Sequence, residues 1–96
     1  MEYKYILEFM GMVVIMYTSL LTEASPLIMS VLFFGILTIT KDKTTGHFNP
    51  ISTLCAYMHG RIGIEELVYN FVAQLLALIV VIISFKDISD IIPNIA

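Results

Sequence analysis

Apolar and polar stretches alternate along the chain. Three long apolar runs cover about residues 5 to 21, 26 to 40 and 64 to 85. As a helix, the third run rises about 33 Å and can cross a bilayer, whose hydrocarbon core is about 30 Å thick. The second run rises about 22 Å, so it crosses only with flanking turns or a thinned bilayer. The pattern predicts three transmembrane helices.

A shorter segment, about residues 49 to 58, lies between the second and third runs. Asn49 before Pro50 is a strong helix start, because Asn accepts hydrogen bonds from free N–H groups and Pro has no N–H to lose. Ten helical residues rise only about 15 Å, half of the hydrocarbon core. We therefore predict a re-entrant half-helix whose positive N-terminal end points to the midplane.

The composition favours a lipid environment. Of the 96 residues, 58% are hydrophobic and 14% are charged, against about 25% charged in soluble domains. The mean hydropathy is +0.91, and the length suits one domain over 1–96. We expect the lipid bilayer as a partner and, because the net charge of −3 is small, no nucleic acid. Glu8 interrupts the first apolar run, which argues against a cleaved signal peptide.

The reactive side chains are few and scattered. Cys55 is the single cysteine, so an internal disulfide is excluded and no Cys/His spacing predicts a structural zinc site. The serines, the cysteine and the two histidines show no nucleophile–base spacing. We expect no metal, no cofactor and no enzyme activity.

Basic residues predict the topology. Lys4, Lys41, Lys43 and Arg61 fall on one side of a three-span arrangement, and Lys86 falls on the other. Cytoplasmic segments carry the excess of Lys and Arg. The N-terminus is therefore expected in the cytoplasm and the C-terminus outside.

Three motifs in register resemble the first half of the aquaporin and aquaglyceroporin family, the major intrinsic proteins. LEFMG at 7–11 is similar to that family's first-helix Glu-Phe pair with a Gly three residues after the Glu. TGHFNPIST at 45–53 is similar to its first Asn-Pro signature loop, and AQLL at 73–76 to its third-helix Ala-Gln pair. The resemblance implies an all-α integral membrane fold of three transmembrane helices plus one re-entrant half-helix, one half of an aquaporin-like inverted repeat.

The resemblance also implies a set of pore-lining residues. They are the loop before the half-helix, its start, and one residue of the second helix at an outer constriction: Gly46, His47, Phe48, Asn49, Pro50 and Met29. In that role Asn49 offers its amide N–H to a passing water or hydroxyl. The plainer interpretations are an ordinary capping Asn49, a structural His47 and a packing Met29.

A second set would support the signature loop. A carboxylate in an apolar span is costly unless paired, so Glu8 indicates either a proton relay or a structural role. The resemblance implies that Glu8 accepts hydrogen bonds from backbone N–H groups of the loop. Gln74 is expected to act similarly, and Gly11 is the small residue of the first motif.

The chain carries one Asn-Pro half-helix, whereas the family fuses two inverted repeats. It also departs from the family pattern at Ser30, Lys41, Ile51 and Ala77. We expect a half-aquaporin-like subunit that contributes half of a channel for water or a small neutral solute. The second half would come from a partner protein or another copy. The alternatives are a non-conducting structural or assembly protein of a cellular or viral internal membrane and, less favoured, a proton or ion carrier centred on Glu8.

Overall fold

The computed structural model describes residues 3–41, 43 and 48–91, except for the side chains of Ser89 and Ile91. These residues form helices and no strands, so the all-α prediction is confirmed for this part of the chain. The four helices in chain order are α1 (Tyr3–Thr22), α2 (Pro26–Thr40), α3 (Pro50–Met58) and α4 (Ile64–Ile91).

Two of these helices are long and apolar enough to cross a membrane. The mean hydropathy is 1.6 for α1 and 2.4 for the Ile64–Ile88 part of α4. Only 11% of the apolar stretch of α1 and 33% of that of α4 is buried within the chain. Most of the apolar surface of both helices therefore faces outwards, which supports a membrane protein.

The last helix is longer than the apolar run that predicted it. α4 continues past Phe85 to Ile91, so Lys86, Asp87 and Asp90 are helical. The helix thus extends beyond the predicted span of about residues 64 to 85. Hydropathy shows where the apolar side chains end. Charged residues can also be helical, so the backbone hydrogen bonds of the helix continue beyond that point.

The connection between α1 and α2 is a sharp reversal. Glu23 and Ala24 both have positive φ angles, 54° and 58°, which is uncommon for residues with a Cβ. The N–H of Ala24 donates to the carbonyl of Ser19 at 2.8 Å and closes the end of α1. Pro26 then starts α2 at a position that needs no N–H.

A Schellman motif ends α3. The N–H of Gly60 donates to the carbonyl of Tyr57, and the N–H of Arg61 donates to that of Ala56. Gly60 has a φ of 73°, the left-handed conformation that this motif places on glycine. The chain thus turns directly from α3 into α4.

α1 and α4 pack side by side in the same direction. Near their starts, Lys4 Nζ lies 2.7 Å from Glu66 Oε1 in an ion pair. Near the other ends, the hydroxyls of Tyr17 and Ser84 are hydrogen-bonded. Residues near the two N-termini contact each other, and so do residues further along each helix. The two helices are therefore parallel.

One face of α4 forms much of the core. Its buried residues recur at the three- and four-residue spacing of a helix face and comprise Leu67, Asn70, Ala73, Gln74, Ala77 and Val81. α1 and α3 both pack on α4, while α2 packs against α1 alone among the four helices and buries none of its side chains. The core therefore lies along α4, on which α1 and α3 pack separately.

Candidate functional site

The start of α3 carries the predicted cap. Asn49 Oδ1 accepts hydrogen bonds from the backbone N–H groups of Ile51 at 2.7 Å and Ser52 at 3.3 Å. Pro50 is the first helical residue. The predicted helix start is thus confirmed. The amide oxygen of Asn49 is thus used by the cap, while its NH₂ group takes no part in it.

Phe48, just before the cap, has an unusual conformation and is buried. Its φ is 49°, a left-handed conformation that costs a residue with a Cβ about 1–2 kcal/mol. Its relative exposure is 3%, and its ring lies against Gly11 of α1. A Cβ added to Gly11 would lie 2.4 Å from Cε1 of that ring. The absence of a side chain at Gly11 therefore makes room for Phe48.

The side chain of Glu8 is hydrogen-bonded to the backbone of Phe48. Both carboxylate oxygens of Glu8 lie 3.2 Å from the backbone N of Phe48 and accept its hydrogen bond. The side chain is 1% exposed. One turn of α1 therefore contacts both the ring and the backbone N–H of Phe48.

A second buried contact ties α3 to the middle of α4. Thr53 Oγ1 donates to the carbonyl of Asn49 at 3.0 Å and accepts from Gln74 Nε2 at 2.8 Å. Both side chains are fully buried. Gln74 Oε1 is also buried and has no hydrogen-bond partner in the structure. The first turn of α3 is therefore bonded to α4, and Phe48, just before its cap, is bonded to α1.

The structure brings together part of the predicted site. Two of the supporting residues, Glu8 and Gly11, contact Phe48, and the third, Gln74, contacts α3. Met29 lies half-exposed on α2, which does not pack on α3. The remaining predicted pore residues, Gly46 and His47, lie outside the described residues. The pore-lining roles stay predictions.

Some residues of this region were missed by the sequence reasoning. Thr53 was quoted only as the end of a motif, yet it connects the cap to Gln74. Asn70, 1% exposed, was not singled out. A signal existed, because Asn70 and Gln74 are four residues apart in an apolar run and so share a helix face.

The comparisons with known proteins add no relative. No protein-family model matches the chain, and no curated protein and no solved structure matches it either. The case for a function therefore rests on the residues and their geometry.

Proposed function

We propose that this chain is a half-channel subunit of the aquaporin type, which contributes half of a pore for water or a small neutral solute. One observation carries the proposal. The three motifs, far apart in sequence, meet around the first turn of α3, where Glu8 and Gly11 hold Phe48 and Gln74 bonds to Thr53. Buried polar contacts converge on this short helix, although apolar packing would suffice for a simple bundle.

The position of α3 along α4 supports a re-entrant segment. Thr53, in the first half of α3, lies beside Gln74, about ten residues and so about 15 Å along α4 from its start. The other end of α3 turns directly into the start of α4 at Gly63 and Ile64. If α4 spans a bilayer, the N-terminus of α3 lies at about half depth, with its positive dipole end inside.

The parallel packing of α1 and α4 supports an odd number of crossings. Along the chain, α2 comes after α1 and before α4 and would cross in the opposite direction. Three crossings then put the two termini on opposite sides of the membrane. The excess of basic residues on one side favours a cytoplasmic N-terminus. Protease or antibody access to tags at both termini in sealed vesicles measures this, and a mixed population would contradict it.

In this proposal, Asn49 is the residue that binds the solute in this half of the pore. Its cap bonds orient the amide so that the NH₂ group can donate to a passing oxygen. Non-helical backbone at membrane depth persists only where protein or water covers it. Asn49, which lies outside the helix and is exposed, therefore needs a facing half, supplied in this proposal by a partner protein or another copy.

The test is osmotic swelling of liposomes that contain the full chain, alone and with candidate partners. Asn49→Asp is the informative variant, because Asp caps a helix as well as Asn does but loses the amide donor and adds a negative charge. We expect swelling above that of empty liposomes, reduced at least several-fold by Asn49→Asp with unchanged helicity. Thr38→Ala on the exposed face of α2 is the matched control and should leave the rate unchanged.

Two outcomes contradict the proposal. If no partner or self-assembly gives swelling above empty liposomes, the structural or assembly alternative is favoured. If swelling occurs but Asn49→Asp and wild type conduct equally, the pore does not pass the cap of α3.

A further inference from the structure

A groove runs along the seam between α1 and α4. Its volume is about 220 Å³. Its lining is apolar and consists of Tyr5, Ile6, Phe9, Ala73 and Leu76. The polar contacts around α3 use other residues of the same two helices, Glu8 and Gln74. The groove is therefore separate from the region that we propose to serve a pore.

The groove covers about the depth of one membrane leaflet. Leu76 lies about ten residues beyond Glu66, so it is about 15 Å further along α4, and the hydrocarbon core of a bilayer is about 30 Å thick. Both α1 and α4 are long and apolar enough to cross a membrane. If they do so, the groove opens to the acyl chains of the leaflet next to the N-terminus.

A charged pair lies at the end of the groove that is nearest to the helix starts. Lys4 Nζ lies 2.7 Å from Glu66 Oε1, and the two side chains are 29% and 21% exposed. The same Nζ lies 5.2 Å from the centroid of the Tyr5 ring, and Tyr5 also lines the groove. The ion pair and the apolar groove therefore adjoin at Tyr5.

The surroundings of this pair are typical of the membrane–water interface. The rings of Tyr5 and Tyr69 lie 5.1 Å apart between centroids, and Tyr is enriched at the level of the lipid headgroups. Lys4 supplies a cation that can donate to a phosphate. Glu66 supplies a carboxylate that can accept from an ammonium group. An apolar groove thus continues into one positive and one negative group.

We propose that this seam binds one phospholipid with an ethanolamine headgroup. One acyl chain lies in the groove, Lys4 donates to the phosphate, and the lipid ammonium donates to Glu66. The charges match, because the headgroup and the ion pair each carry one positive and one negative charge. An anionic headgroup would instead face the carboxylates of Glu65 and Glu66 in the first turn of α4. A choline headgroup has no N–H to donate to Glu66.

The test is native mass spectrometry of the full chain in detergent. Phosphatidylethanolamine, phosphatidylcholine and phosphatidylglycerol with identical acyl chains are added in turn. We expect one ethanolamine lipid per chain to be retained, several-fold more than either of the other two lipids. Glycerophosphoethanolamine has the same headgroup but no acyl chains, and it should be retained poorly because it leaves the groove unfilled.

Two pairs of variants separate the headgroup contact from the groove. Glu66→Gln should abolish the preference for ethanolamine over choline, whereas Glu65→Gln, at an exposed neighbouring carboxylate, should keep it. Ile6→Phe places a larger side chain at the groove and should reduce retention several-fold. Ile28→Phe on α2 is its control, because the two isoleucines are 46% and 45% exposed. Circular dichroism checks that each variant is as helical as the wild type.

Several outcomes would overturn the proposal. Equal retention of the three lipids would show non-specific lipid only, and stronger retention of phosphatidylglycerol would contradict the charge match. An ethanolamine preference that persists in Glu66→Gln would refute the headgroup contact. Equal retention by Ile6→Phe and Ile28→Phe would refute the groove. The proposal rests on membrane insertion of α1 and α4 and not on conduction, so its failure is distinguishable from that of the half-channel.

Discussion

The two shortest helices of the chain are held in opposite ways. α3, with nine residues, is bonded to Gln74 through the buried Thr53, and Phe48 just before its cap is bonded to Glu8. α2, with 15 residues, buries none of its side chains and packs on α1 alone among the four helices. Its hydroxyls, such as those of Ser30 and Thr38, bond back to carbonyls four residues earlier and so need no other helix.

This difference follows from the solvent that we propose. In lipid the surroundings are as apolar as a leucine side chain, so apolar contact between helices gains little beyond close packing. Polar groups retain a strong preference for one another. The position of one helix against another is therefore determined where polar side chains meet. The stability of the fold should be far more sensitive to substitutions around Phe48 than to substitutions in α2.

The largest effect is expected from Glu8. Glu8→Ala leaves the N–H of Phe48 buried without its acceptor, and a buried donor left unsatisfied costs about 1–3 kcal/mol. Glu8→Gln keeps one acceptor oxygen and should lose about half as much. The measurement is the midpoint of thermal unfolding in detergent, followed by helical circular dichroism. Equal midpoints for Glu8→Ala and wild type would show that the bond does not stabilise the fold.

Gly11→Ala should lower the stability of the fold almost as much as Glu8→Ala does. The new Cβ would lie 2.4 Å from the ring of Phe48, so the ring or α1 must move, at a cost of about 1–3 kcal/mol for overpacking. Adding Phe48→Leu shortens the facing side chain and should recover part of the loss. Gly35→Ala on α2, where a Cβ meets nothing within 4 Å, is the matched control. A Gly11→Ala variant as stable as Gly35→Ala would refute the contact.

The stability losses caused by substitutions at Thr53 and at Gln74 should depend on each other. Thr53→Val leaves the Gln74 amide without its partner, and each single change should cost about 1–3 kcal/mol. Gln74→Leu also removes the unpartnered Oε1, so it should cost less than Thr53→Val. In the double variant both polar groups are gone, and it should be more stable than Thr53→Val. Additive losses in this double-mutant cycle would mean that the two side chains do not interact.

The smallest effects concern apolar truncation, for which the chain offers a matched pair. Val81 on α4 is 2% exposed and Val31 on α2 is 64% exposed. Val81→Ala opens a cavity and should cost about 1 kcal/mol, whereas Val31→Ala should change stability by less than about 0.5 kcal/mol. Equal losses would show that α2 is packed as tightly as the core.

Much of the fold follows from local sequence signals. The apolar runs indicated the helices, and Asn49 with Pro50 marked the start of α3, because capping and the missing proline N–H act within one turn. The contacts of Glu8 with Phe48 and of Gln74 with Thr53 span 40 and 21 residues. No local pattern determines such pairs, and the resemblance alone suggested which segments should meet.

Other features could not be predicted for physical reasons. The left-handed conformation of Phe48 gives no sequence signal, because a residue with a Cβ adopts it only under tertiary constraint. The end of α4 at Ile91 instead of Phe85 reflects backbone continuity that hydropathy does not measure. The ion pair of Lys4 with Glu66 requires that the first and third runs pack against each other, which their order along the chain leaves open.

The distribution of contacts around α3 also determines when it can form as the chain is made. A nine-residue helix is too short to be stable alone, and chains emerge N-terminus first. Glu8 is already in place when Phe48 is synthesised, but Gln74 follows Thr53 by 21 residues. In a nascent chain that ends before Gln74, only the contact between Glu8 and Phe48 is possible. α3 should therefore be the last of the four helices to become ordered, once α4 has been made.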